Sequence, residues 1–167
     1  METIQKFIDY ILGKRTEVSD LEVKDAVLAK TVLDIHRKRT HKEIVQVPLY
    51  ALQQVHELDR DNTQESISER AKTLEAHKER ILDAGGLTQQ LLNEFLPSVS
   101  AIKVVQENEN SYIAYEGNGR LAAMQRVFSR SDGLFVEVEQ YHFRNPTKIV
   151  RRLNRVRKLN GLIGNQE

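Results

Sequence analysis

The stretch Tyr112-Ile113-Ala114-Tyr115-Glu116-Gly117-Asn118-Gly119-Arg120-Leu121-Ala122-Ala123 reads as a strand that stops at a tight glycine turn and restarts as a helix. Glycine lets the backbone approach a ligand closely, and the first helical turn leaves unpaired N–H groups that favour an anion. Arg120 adds a positive fork to that turn, and Glu116 sets a carboxylate at the strand's end. Gly117, Asn118, Gly119 and Arg120 are therefore the candidate phosphate-binding residues. The alternative is structural: the glycines only permit a positive φ, Arg120 pairs with Glu116 or another carboxylate, and Glu116 caps the helix.

Upstream, Ile102-Lys103-Val104-Val105 and Tyr112 to Tyr115 flank the turn-rich Glu107-Asn108-Glu109-Asn110, which predicts an antiparallel hairpin. Before it, a long helix is expected from near Ser66 to Ala84, with Ile67, Ala71, Leu74, Ile81 and Leu82 inward and Gly85-Gly86 as its stop. Leu91 to Val99 reads as either a buried helical turn through Leu91, Leu92, Phe95 and Leu96 or extended chain before Pro97, with helix preferred. Glu43-Ile44-Val45-Gln46-Val47 alternates as a strand ending at Pro48. Downstream of the turn come a helix to about Phe128, a strand over Leu134 to Phe143, and a last helix from Asn145-Pro146-Thr147 to near Gly161. At the N-terminus, Ile4, Phe7, Ile8 and Ile11 predict a short helix to Gly13. Ser19-Asp20-Leu21-Glu22 resembles a capping box for a second helix, with Leu21, Val23, Ala26, Val27, Lys30, Leu33 and Ile35 in its pattern and Arg37-Lys38-Arg39 at its end.

The expected fold class is mixed α/β in a single body. It divides into a helical extension over 1–40, a core over 41–145 and a basic amphipathic helix over 146–167. A length of 167 residues can bury a core unaided. The absence of cysteine excludes thiol catalysis, disulfides and cysteine-ligated zinc. With no secretory leader pattern and no long apolar run, the sequence reads as a cytoplasmic protein without a membrane partner.

The net charge of +1 hides a division. Residues 41–140 carry 10 basic and 16 acidic side chains, whereas residues 141–167 carry 7 and 1. Lys148, Arg151, Arg152, Arg155 and Lys158 line one side of the last helix, opposite Ile149, Leu153, Val156 and Leu159. Those cations could pair with the acidic middle segment, bind DNA or RNA phosphates, or reach the phosphate turn at Gly117 to Arg120. Glu57, in the polar loop His56 to Asn62, is a candidate second catalytic carboxylate. His36 and His41 lack a carboxylate or third histidine at recognised ligand spacing, so no metal centre is expected.

The order Val47-Pro48-Leu49, long helix, Gly85-Gly86-Leu87, hairpin and Glu116 to Ala123 resembles the ParB N-terminal domain and sulfiredoxin superfamily over roughly residues 43–143. Its Gly-x-x-Arg-x-x-Ala turn is matched by Gly117, Arg120 and Ala123. The resemblance implies nucleotide phosphates, from ATP or another nucleotide with Mg²⁺, held at this helix start. Sulfiredoxin chemistry is excluded, because Asn118 and Gly119 stand where that branch has a cysteine and a histidine. The partitioning proteins have a more arginine-rich, CTP-sensing turn and a following DNA-reading domain, for which the tail here is too short. A third branch resembles free serine kinases, in which an acidic residue before the turn assists phosphoryl transfer. Glu116 holds that place, while the paired histidines are missing. The implied activities are NTP hydrolysis or small-molecule phosphotransfer, with a DNA-associated or nuclease-like module and a non-catalytic scaffold as alternatives.

Overall fold

The computed structural model describes residues 20–58 and 61–164. The expected first helix, the Ser19 half of the capping box, and Asp59 and Arg60 of the polar loop lie outside the described residues. The elements run α1 (Asp20–Lys38), β1 (Arg39–Pro48), a 3₁₀ turn (Leu49–Ala51), β2 (Leu52–Gln54), α2 (Asp61–Ala76), α3 (Lys78–Asp83), β3 (Gly86–Leu87) and α4 (Gln89–Phe95). They continue with β4 (Lys103–Asn108), β5 (Ser111–Glu116), α5 (Asn118–Val127), a 3₁₀ turn (Arg130–Asp132), β6 (Phe135–Phe143) and α6 (Thr147–Leu159).

One mixed sheet carries the order β1-β6-β4-β5-β2, with β3 also pairing to β6. The β1/β6 and β4/β5 ladders are antiparallel; β4/β6, β2/β5 and β3/β6 are parallel. Because side chains alternate along a strand, the two faces of the sheet feed two apolar cores. Val47, Val104, Ala114, Val136 and Val138 face Ile67, Leu74, Ile81, Leu92, Leu121 and Met124 from α2 to α5. Val105, Ile113, Tyr115 and Tyr141 face Ile35 of α1 and Ile149, Leu153 and Val156 of α6. The molecule is thus a three-layer helix–sheet–helix sandwich, in which the N-terminal and C-terminal helices cover one face together.

Several expectations are redrawn. The long helix starts at Asp61 and breaks at His77 (φ −117°, ψ 13°), whose ring stacks on Phe95 with centroids 4.6 Å apart. Its inward residues Ile67, Leu74 and Ile81 are fully buried on both sides of that break. In α1 the buried stripe runs through Val27, Leu28, Thr31, Val32 and Ile35, while Leu33 is about half exposed. Thr31 is tolerated in that stripe because its hydroxyl donates to the Val27 carbonyl at 2.7 Å. The strand read over residues 43–47 extends from Arg39 to Pro48. β2 and β3, of three and two residues, follow no alternation long enough to read.

Hydrogen bonds anchor the 3₁₀ turn after β1 to the far end of α5. Tyr50 donates its hydroxyl to the Phe128 carbonyl at 2.7 Å, and Lys78 donates to the Val127 carbonyl at 2.9 Å. The last carbonyls of α5 are thereby satisfied from outside the helix. Truncating Ile67, which is fully buried between α2 and α5, is expected to cost about 2–5 kcal/mol. Urea denaturation of Ile67→Ala measures that cost as a lower midpoint.

Candidate functional site

Gly117 has φ +90°, in the left-handed region, and a Cβ there would lie 2.9 Å from Ile102 Cγ1 and 3.2 Å from Ile102 Cα. Glycine is therefore required twice, by backbone conformation and by space. The residue turns the chain from β5 directly into α5 and serves as N-cap without any side-chain cap bond to the helix. The first turn of α5 therefore keeps its N–H groups for a ligand.

Asn118 is 3% exposed and its side chain faces inward. Its Oδ1 accepts from the Val55 N–H at 2.9 Å and its Nδ2 donates to the Ala114 carbonyl at 2.8 Å. Of this residue, only the backbone is left to meet a phosphate. At Gly119 a Cβ would come within 2.7 Å of Arg70 Nη1, so the guanidinium of α2 lies directly over the first turn of α5. Arg120 is 4% exposed, and its Nη2 donates to the Ser100 carbonyl at 2.8 Å. Burial, then the neighbouring charge of Arg70, pull the Arg120 pKa down, and Glu116 offsets this only in part.

The carboxylate of Glu116 pairs with Lys103 at 3.1 Å and accepts a hydrogen bond from the Ser100 hydroxyl. It makes no ion pair with Arg120, so the structural pairing of Arg120 with Glu116 is replaced by a Lys103–Glu116 pair. Burial works to raise the Glu116 pKa, but the bonds from Ser100 and Lys103 and the Lys103 charge outweigh it, leaving the carboxyl below its ordinary value. Glu116 is ionised at neutral pH and holds its proton too weakly to be tuned as a general acid there.

His56, Arg70, Ser98, Ser100, Glu116 and the turn 117–120 line one cleft of about 380 Å³. Tyr115 forms part of its lining, and the Tyr115 hydroxyl is buried without a hydrogen-bond partner. Glu57 does not join this cleft. It lines a separate groove of about 560 Å³ with Gln54, Gln64, Gln125 and Arg126. Two catalytic carboxylates in one site are therefore not brought together.

The basic side of α6 is divided. Arg152 pairs with Asp34 of α1, while Lys148, Arg151, Arg155 and Lys158 are exposed and make no ion pair among the described residues. Arg157, not among the sequence candidates, is buried instead, donating to the Gln54 carbonyl at 3.1 Å and to Asn154 at 3.0 Å. None of these side chains lines the glycine-turn cleft. Arg70 and the two serines were also missed; Arg70 reads in sequence as one more charge on a solvated helix face. Among the described residues no helix is long and apolar enough to cross a membrane.

No protein-family model matches this chain, and neither the curated proteins nor the solved structures give a match.

A group whose folded pKa is depressed contributes stability that is present above its unfolded value and lost as pH falls through the folded one. Glu116 accordingly stabilises the fold above its ordinary value of 4.5 and ceases to do so in acid. Glu116→Gln is expected to reduce the acid-side slope of stability against pH, read by urea denaturation from neutral to acidic pH. Asn118→Ala strands the Val55 N–H and the Ala114 carbonyl and is expected to cost about 1–3 kcal/mol for each group left unpaired; the same denaturation series reads it.

Proposed function

We propose that the chain is a ParB/sulfiredoxin-like module that binds the phosphate of a nucleotide at the N-terminus of α5. The observation that carries this reading is the convergence of Arg70 and Arg120 on a helix start without a side-chain cap, where Gly119 lets the Arg70 guanidinium close on the first turn. Two guanidinium groups beside one helix dipole repel each other, and the Arg70 charge weakens Arg120's hold on its proton; an anion between them removes that penalty. Arg forks match phosphate oxygens in geometry as well as charge. The cleft, at about 380 Å³, lies at the small end of ligand sites and suits a phosphate group with part of its nucleoside.

Glu116 is the only carboxylate among the described residues lining the cleft. It would face Mg²⁺ arriving with the nucleotide, which supplies charge neutralisation to the phosphates. Its depressed pKa favours that role over proton abstraction, so binding is better supported than phosphotransfer or hydrolysis. Gly117 makes the bend against Ile102, Gly119 makes room for the Arg70 guanidinium, Arg120 and Arg70 hold the ligand, and Asn118 fixes the turn.

A second reading concerns DNA. It rests on four exposed cations of α6 that make no ion pair among the described residues and stand apart from the cleft. Four phosphate contacts would give a slope of about −3.6 for log Kobs against log salt.

Titration with ATP, CTP and inorganic phosphate, with and without Mg²⁺, is expected to show saturable binding that weakens by about 10- to 100-fold in Arg120→Ala and in Arg70→Ala. Arg70 lies on a half-exposed helix face, so its variant separates ligand loss from misfolding. Absence of saturable binding in the wild type overturns the nucleotide reading. Binding only to a DNA duplex, indifferent to both arginine changes and steep in salt, transfers function to α6.

A further inference from the structure

We propose that His41, Glu43 and His142 form a binding site for a divalent transition-metal ion of the Zn²⁺ type, with one coordination position left to water. The three residues each offer a ligand atom, and these atoms all lie within 4.8 Å of one another. The expectation of no metal centre overlooked that residues two apart on a strand share a face. His41 and Glu43 are such a pair on β1, and the ladder brings His142 of β6 opposite His41.

The two histidines are the last pair of the ladder's main register before an irregularity. Arg39 pairs with Phe143 but His41 pairs with His142, so the ladder takes up one extra residue at Thr40. Such a bulge re-aims the side chains beside it. Beside it the two imidazoles lie face to face, with centroids 4.2 Å apart and planes within 5°.

The bulged Thr40 also selects a tautomer. Its hydroxyl donates to the His142 carbonyl at 3.1 Å, and its Oγ1 lies 3.3 Å from His41 Nδ1. A hydroxyl has one proton, and a carbonyl can only accept it. His41 Nδ1 must therefore be the donor to Thr40, which leaves Nε2 with its lone pair free. A hydrogen bond on the second ring nitrogen is how proteins orient metal-binding histidines.

Across the site, His142 Nε2 and Glu43 Oε1 are 2.8 Å apart, with a shared proton where a cation would enter. Ligand atoms about 2.0–2.2 Å from a tetrahedral Zn²⁺ are about 3.3 Å from each other. The His142–Glu43 pair opens slightly to reach that spacing, and the His41 ring closes from at most 4.8 Å. Imidazole lone pairs lie in the ring plane, so one of the stacked rings also turns out of the stack for both to converge on one ion, a side-chain rotation on a partly exposed surface. Two imidazoles and one carboxylate without a thiolate suit Zn²⁺ and its neighbours Co²⁺, Ni²⁺ and Cu²⁺ over Ca²⁺ or Mg²⁺.

The site is independent of the glycine turn. Glu116 is level with Lys103, and Lys103 with Glu139, which stands three residues before His142 on β6. The nucleotide reading can fail without consequence for the metal.

Calorimetric titration of the tag-free full chain with Zn²⁺, and visible spectroscopy with Co²⁺, test the site. One equivalent is expected to bind, Co²⁺ is expected to give the intense bands of a tetrahedral ion, and Zn²⁺ is expected to raise Tm. His41→Ala and His142→Ala are each expected to weaken binding at least about tenfold, and Thr40→Val by about 10- to 100-fold. His77→Ala, a histidine stacked on Phe95 elsewhere, is expected to bind as the wild type does. Thr40→Val leaves all three ligands in place, so it reads the site even where a histidine variant loosens β1. Absence of saturable binding, or one-equivalent binding retained in the His41→Ala/His142→Ala double variant, overturns the proposal.

Discussion

The side-chain amide of Asn118 ties the end of the short β2 to β5 and to the start of α5. Its acceptor meets the N–H of Val55, just past β2, and its donor meets the carbonyl of Ala114 within β5. Both partners are buried, where an unpaired backbone group is costly. β2 is only three residues long and pairs with β5 alone, so this amide extends the β2/β5 contact beyond the ladder. It also orients the first turn of α5 by fixing its first residue. The left-handed Gly117 immediately before it supplies the bend. Position and bend together aim the open N–H groups of α5 into the cleft.

Charge in the cleft follows from that placement. Ser100 is the hinge of the arrangement: its carbonyl receives Arg120 and its hydroxyl serves Glu116. Lys103 neutralises Glu116 from the sheet, so Arg120 is left facing Arg70 without a carboxylate partner of its own. A buried guanidinium with a like-charged neighbour is an expensive thing to keep for packing alone. A hydrophobic side chain of similar volume would fill the same space, and the arrangement makes physical sense when an anion completes it.

Much of the fold was legible because its elements are long and periodic. β6 and α6 follow patterns of period two and 3.6 over most of their length, and the hairpin was marked by the turn-rich spacer between its two apolar runs. Where the pattern was continuous but the backbone was not, sequence reading failed: Ile67, Leu74 and Ile81 keep helical spacing through His77, although the helix breaks there. The site was legible only in its local half. Gly117, Gly119 and Arg120 are contiguous, whereas Arg70, Ser100 and Lys103 reach the cleft through tertiary contacts that leave no mark in the order of residues. Asn118 was placed correctly in the turn, but its side chain serves the backbone of β5 and not a ligand.

The same distinction explains the two histidines of the β1–β6 ladder. His41 and His142 are 101 residues apart in sequence, and their partnership depends on the register of a single antiparallel pair. That register is set lower down, where Val45 faces Val138 and Val47 faces Val136 against the core of α2 to α5. A slip of one residue would turn every one of those valines to the opposite face, so the buried half of the ladder is strongly specified. The exposed half inherits the alignment and, at Thr40, departs from it by one residue. Burial at one end of the ladder thus fixes the chemistry presented at the other, and the bulge at Thr40 ends the aligned stretch just past the two histidines.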